Sequence, residues 1–291
     1  MTAYERITET IINAIETGKA TGDGWRMPWH SAGGRPVNVA SGKAYRGINT
    51  LVLWSEAQAR GFSSALWGTL RQWNEKGARV RKGEKSSLVV FWKDLPTKKD
   101  EEGENGRRFV LKTSLAFNAA QVEGFDAPAE PGPMGPHMPH SQTPAEDLAY
   151  AARVDLRLEG TRAFYHPILD YVQIPEPSDF YSRDAFQATL LHECAHWSGH
   201  KSRLAREFGK RFGDQAYAFE ELVAELSAAF LCADLGVANQ PRADHAEYIA
   251  NWLQVLRGDS RAIFTAASAA ARAADYLLSF QATQGKIAEA A

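Results

Sequence analysis

Apolar residues near the start of the chain recur at helical spacing: Ile7, Ile11, Ile12 and Ile15 form one stripe, with Thr2 and Glu5 as a capping box ahead of it and Gly18 as its stop. A second helix is predicted over 49–60. The stretch "SSALWGTLRQWNEKG" predicts a third, capped by Ser64, with Leu66, Leu70 and Trp73 on one face and Gly77 at its end. The spacing then changes. "SSLVVFWK" and "RFVLKTSLAFN" are rich in β-branched and aromatic residues and read as two strands joined by a charged hairpin loop. Trp54, Trp67, Trp73 and Trp92 fall within these elements and are expected in the core. Further on, helical patterns cover 145–154, the stretch "AFQATLLHECAHWSG", 217–236, 243–258 and 259–280, with one short strand at "DYVQIP". The class expected is α+β in two domains: an N-terminal α+β domain and a mostly helical C-terminal one.

Six of the 13 prolines lie in residues 126–147. Proline removes backbone donors and favours extended chain, so this stretch reads as a semi-rigid linker between a domain at 1–125 and a domain at 148–291. The charged N-terminus has no apolar signal segment, and no stretch is long and apolar enough to span a membrane. Two cysteines, Cys194 and Cys232, are too few for a disulfide framework. A cytoplasmic protein without a membrane partner is expected.

The net charge of -2 conceals a split between the halves: residues 1–125 carry a net +6 and residues 126–291 a net -8. Six of the eight tryptophans lie in 25–92, interleaved with cations. Aromatic platforms with cations are what a nucleic-acid strand requires, because bases stack on rings while ammonium and guanidinium groups follow the phosphates. The candidate contacts are Trp25, Trp29, Arg35, Lys43, Tyr45, Arg46, Asn49, Arg79, Arg81, Lys82 and Lys85.

In "HECAH", His192 and His196 are four apart on a predicted helix, so one face presents both imidazoles to a single ion. Glu193 lies beside that face, placed to take a proton from water at the ion. Zn2+ suits the ligands, with another divalent ion such as Mn2+ as the alternative. A third histidine ten residues after the first is absent, since position 202 is Ser, and all four methionines precede the motif, which removes the metzincin pattern. Downstream, "EELVAEL" offers Glu220, Glu221 and Glu225. Glu221 and Glu225 share a helix face and resemble the Glu-x-x-x-Asp/Glu arrangement of gluzincin-like peptidases. That resemblance implies Glu221 as third ligand and Glu225 as the residue that orients a ligand histidine, with the exchanged assignment open. Glu220 is expected to face solvent.

Two longer stretches carry a wider resemblance. "NVASGKAYRGINTLVLW" with "WGTLRQWNEKGARVRKGEKSSLVVFWK" resembles the N-terminal domain of ArdC-type antirestriction proteins. "ATLLHECAHWSGHKSRLAREFG" with "YAFEELVAELSAAFLCADLG" resembles their zincin-like C-terminal domain. The resemblance implies a plasmid-associated protein that binds single-stranded DNA and protects incoming DNA from host restriction during conjugation. Charge split, linker and motif together suggest a peptidase tethered near DNA, with a protein substrate among restriction components or other DNA-bound proteins. Two alternatives stay open at this point. One is a DNA-binding protein whose metal is structural, and the other a protease acting on DNA-bound proteins in repair.

Overall fold

A computed structural model of the chain describes residues 1–18, 34–96, 107–126, 143–208, 215–238 and 245–289. The first half runs α1 (Ala3–Gly18), β1 (Val37–Asn38), α2 (Ile48–Arg60), β2 (Leu66–Gly68), α3 (Leu70–Glu75), β3 (Arg79–Val80), β4 (Ser87–Pro96), β5 (Arg107–Asn118) and β6 (Val122–Glu123). A four-stranded sheet has the order β1-β2-β5-β4, parallel only between β1 and β2, and β3 pairs with β6 in a small ribbon. The capping box on α1 is present: the Thr2 amide donates to Glu5 at 2.8 Å and the Glu5 amide to Thr2 Oγ1 at 3.2 Å.

The helix expected from residue 64 starts later. Leu66–Gly68 is a strand, and α3 begins at Leu70 behind Thr69, whose hydroxyl accepts from the Gln72 amide while Gln72 returns a bond to the Thr69 amide. Pairing of Trp67 and Gly68 with Asn118 and Phe117 of β5 overrides the helical spacing. Leu70 is consequently exposed, whereas Trp73 is fully buried and donates from Nε1 to the Phe117 carbonyl at 3.0 Å.

The second half runs α4 (Pro144–Ala151), β7 (Asp155–Leu158), β8 (Phe164–His166), β9 (Tyr171–Ile174), α5 (Arg183–Ser198), α6 (Gln215–Leu235), α7 (His245–Gly258) and α8 (Ala262–Glu289). Most of the Pro-rich stretch lies outside the described residues. Its last part belongs to α4, where Thr143 caps the helix and Pro144 occupies the first turn, a position that needs no amide proton. The strand expected near 170–175 is the centre of a three-stranded sheet, β7-β9-β8. The sequence pattern left both of its neighbours unpredicted: β8 has only three residues, and β7 alternates over four directly after α4. Among the described residues no helix is long and apolar enough to cross a membrane.

The two halves share the main buried core, while two smaller clusters, around Trp67 and around Trp73, lie within the first half alone. Ile7, Ile11 and Ile15 of α1 and Leu51 and Trp54 of α2 belong to the same apolar cluster as Phe230 of α6 and Ile263, Ala267 and Ala270 of α8. The rings of Trp54 and Phe230 lie 5.9 Å apart, and those of Tyr4 and Phe264 4.6 Å apart. Gly47, at the entry to α2, has φ +54° and sits against the Ala267 carbonyl of α8. A Cβ there would be both strained and in contact with the opposing helix. Helices α5 and α6 lie deepest: α5 is buried from Ala185 to Ser198.

Candidate metal centre

Helix α5 starts at Ser182, whose hydroxyl accepts from the Ala185 amide, and remains regular through the two histidines. Its neighbour α6 carries the acids. The pairing gives a compact donor set. His192 Nε2 and His196 Nε2 are 3.1 Å apart, and the Glu221 carboxylate offers one oxygen to each at 3.5 Å. One donor atom from each of the three residues falls within 4.8 Å of the others. Ligands about 2.0–2.1 Å from a tetrahedral zinc lie roughly 3.3–3.4 Å from one another, so the observed spacings suit such an ion. The chemistry suits it as well, with two imidazoles and one carboxylate converging through their lone pairs.

The outer nitrogens of both rings also face carboxylates. His192 Nδ1 lies 3.7 Å from Glu225, and His196 Nδ1 lies 3.2 Å from Glu220 Oε1. Glu220 was expected in solvent but is 3% exposed. Arg206 holds it in a fork, with Nε to Oε2 at 2.9 Å and Nη2 to Oε1 at 2.8 Å. The reason is the environment of α6, which is enclosed nearly all round and leaves no wet face for an acid. A signal for this exists in the sequence: from 216 to 235 the only charged residues are Glu220, Glu221, Glu225 and Asp234, too few for a solvated stripe. Arg206 had no such signal, since it reaches the site from the loop after α5. His200, just past the end of α5, turns its Nδ1 to Ser202 Oγ at 2.8 Å.

Burial alone would push the His196 imidazole down, but Glu221 and Glu220 outweigh it and raise the ring to about 10. Glu221 is held well below the ordinary carboxylate range, because the two histidines outweigh the opposing effect of burial. The pocket thus favours positive charge between its acids, as a cation site requires. Glu193, His192, His196 and Glu221 are all more than nine-tenths buried.

The candidate nucleic-acid contacts separate into groups. Trp25 and Trp29 lie outside the described residues. Arg35 is not available to a phosphate: it is 8% exposed, paired with Asp234 at 2.7 Å, and its guanidinium stacks on Phe230 at 4.7 Å. Asn49 is occupied as well. Its side chain donates to the Val90 carbonyl at 2.6 Å and accepts from the Val90 amide at 2.8 Å, which fastens α2 to β4. Tyr45 is half-buried and accepts from Asn38 at 3.0 Å. Arg46 pairs with Asp275, and Arg81 with Glu84, yet both side chains keep substantial exposure. Lys43, Arg79, Lys82 and Lys85 are exposed. Trp92, expected in the core, is 55% exposed, and its neighbour Phe91 is 49% exposed. Burial along β4 ends at Val90, the residue that Asn49 of α2 binds.

Comparison with known proteins places both halves of the chain in known families. Residues 1–122 match the N-terminal domain of anti-restriction factor ArdC, and residues 143–269 match a zincin-like metallopeptidase family. An uncharacterized protein, y4eC, from Sinorhizobium fredii is 46% identical over 94% of this chain and 91% of its own length. DNA primase TraC from Escherichia coli is 32% identical over 97% of this chain, which spans only 20% of that protein. The metal-free crystal structure of antirestriction protein ArdC from plasmid R388 superposes with a TM-score of 0.80 at 37% identity, covering 97% of this chain and 99% of that one. Its Mn(II)-bound structure superposes at 0.78 with 36% identity, covering 96% and 98%. With an ArdC N-terminal domain, a zincin-like domain and a full-length structural match, the chain belongs to the ArdC-type antirestriction family.

Proposed function

We propose that the protein binds single-stranded DNA through its first half and carries a divalent-metal peptidase site in its second, protecting incoming plasmid DNA from host restriction during conjugation. The observation that carries this reading is the donor set His192, His196 and Glu221 at tetrahedral spacing in a chain of this family. The related ArdC protein has been crystallised with Mn(II), which supports a divalent ion here, with Zn2+ the ion best suited to the ligands.

His192, His196 and Glu221 would hold the ion, and Glu225 would orient His192 through Nδ1. A bound divalent ion supplies Lewis acidity, polarising an amide carbonyl and acidifying water. Glu193 accepts the proton from the attacking water and delivers it to the departing amine. Protein substrates would be restriction components or other proteins close to the bound DNA. Lys43, Arg79, Lys82 and Lys85, with Arg46 and Arg81, offer exposed cations for phosphates, and Phe91 and Trp92 offer exposed rings for bases.

The burial of Glu193 and all three ligands favours a second reading, in which the ion is structural and DNA occupancy alone protects. One experiment separates them. Restriction of transferred plasmid DNA is measured in cells carrying wild type or Glu193→Ala, after folding, metal content and single-strand affinity are shown to be equal. Loss of protection supports the hydrolytic reading, and retained protection supports occupancy.

A further inference from the structure

We infer that Arg206 and Glu220 act together as positioning residues for the metal ligand His196. The inference rests on the metal-site reading above.

The loop that follows α5 turns back on the helix end. The Arg206 amide donates to the Gly199 carbonyl at 2.9 Å, and the Leu204 amide donates to the Ser198 carbonyl at 3.1 Å. Ala205 adopts φ +49°, a conformation that non-glycine residues avoid, and this aims the next side chain inward. Gly199 supplies the room: a Cβ there would lie 2.7 Å from Arg206 Nη2 and 2.8 Å from the Phe208 ring. The Arg206 side chain then makes four hydrogen bonds that tie its loop to α5 and α6. Two go to α5, to the Ala195 carbonyl at 2.6 Å and Ser198 Oγ at 2.9 Å, and two form the fork on Glu220 of α6.

The fork fixes where the Glu220 carboxylate points, which leaves Oε1 3.2 Å from His196 Nδ1. An acceptor at Nδ1 selects the tautomer that carries its proton there, so the Nε2 lone pair faces His192 and Glu221, where the ion would sit. His192 has a looser arrangement, with its carboxylate at 3.7 Å. The stronger constraint therefore falls on His196, and its source is Arg206, which is not itself one of the donor residues.

The test uses the full chain. Zn2+ affinity is measured by competition with a chelator, the Co2+-substituted protein is examined by visible absorption, and thermal stability is recorded without metal. Glu220→Gln removes the charge and sets an amide donor against the Arg206 fork. It is expected to weaken Zn2+ binding about 10- to 100-fold and to shift the Co2+ bands. Gly199→Ala leaves the carboxylate untouched but displaces Arg206, and is expected to weaken binding in the same direction. Arg206→Lys keeps the charge without the fork and should fall between wild type and Glu220→Gln. A purely structural role predicts the opposite pattern, with a lower melting temperature and unchanged Zn2+ affinity and Co2+ spectrum in the folded variants, and that result would overturn the inference. If Glu220→Gln fails to fold, Gly199→Ala and Arg206→Lys decide by the same readouts. Wild type without measurable Zn2+ or Mn2+ affinity would instead remove the metal-site reading beneath it, and the inference with it.

Discussion

Asp170 accepts from Arg203 Nη1 at 2.9 Å and from the Tyr165 hydroxyl at 2.9 Å, fastening the β8–β9 turn to the loop that follows α5. Arg203 holds this carboxyl below its usual range, against the smaller opposing effect of burial. A depressed folded value places the contribution above the ordinary carboxylate range and removes it as pH falls through the folded value. Asp170→Asn is therefore expected to be less stable than wild type near pH 7, by about 1–2 kcal/mol for a partly exposed charge-assisted pair, with the difference vanishing toward pH 2. Denaturant titrations of both proteins at each pH check this. The raised His196 ring gives metal affinity a pH dependence of the same sense. A ligand nitrogen must be free of its proton, so Zn2+ affinity should weaken as pH falls from about 9 to 6, by up to about tenfold per unit for one displaced proton. An affinity independent of pH would contradict this. The convergence of His192 and His196 was legible in the sequence, because a spacing of four on a helix determines it. Arg35 and Asn49 lay beyond it because both look like nucleic-acid contacts by type, and only tertiary partners, Asp234 and Val90, show them occupied.

Among the elements, β2 and α3 show how tertiary pairing displaces a local pattern. Leu66, Leu70 and Trp73 have helical spacing, yet pairing with β5 draws Leu66–Gly68 into the sheet, and Thr69 starts a new helix. The sheet edge is tightly packed there: a Cβ on Gly68 would come within 2.6 Å of Val39 Cγ1 and 3.2 Å of Trp73 Nε1. Gly68→Ala should destabilise by about 1–3 kcal/mol through overpacking, and Thr69→Ala by about 1 kcal/mol through loss of the cap. Urea midpoints test both, and a destabilising order reversed between them would count against the strand assignment. α5 and the β4–β5 hairpin were legible because their patterns agree with their tertiary roles. β8 was not, since three residues leave no run of alternation to read, and β7 was missed although Leu156 and Leu158 alternate with Asp155 and Arg157. The turn between β3 and β4 presents Lys82 and Lys85 to solvent. If these follow a DNA backbone, the double change to alanine should weaken single-strand binding and reduce the slope of log affinity against log salt by about 1.4, from roughly 0.7 per phosphate contact. An unchanged slope would move the binding surface elsewhere.

At the scale of the whole molecule, the charge split and the change of composition suggest two tethered bodies, whereas the structure joins them through one apolar cluster. Helices α1 and α2 bury their stripes against α6, α7 and α8, and Arg35 reaches from the first half to pair with Asp234 on α6, the helix that carries Glu221. The sequence could not show this, because amphipathic stripes state that a face is buried but not against which partner. A shared core would couple the proposed metal centre to the proposed DNA-binding half through stability. An ion bound only by the folded state stabilises it by about 2.7 kcal/mol at a hundredfold excess over its Kd. With separate cores, that gain would appear only in the C-terminal half. With one core, calorimetry should show a single transition that moves upward as a unit on adding Zn2+, by a few degrees for a chain of this size. Hydrogen exchange under the same conditions should gain protection in β4 and β5 as well as in α5. Two transitions, only one of them shifted by the ion, would mean that the contact between α2 and α6 does not unite the halves.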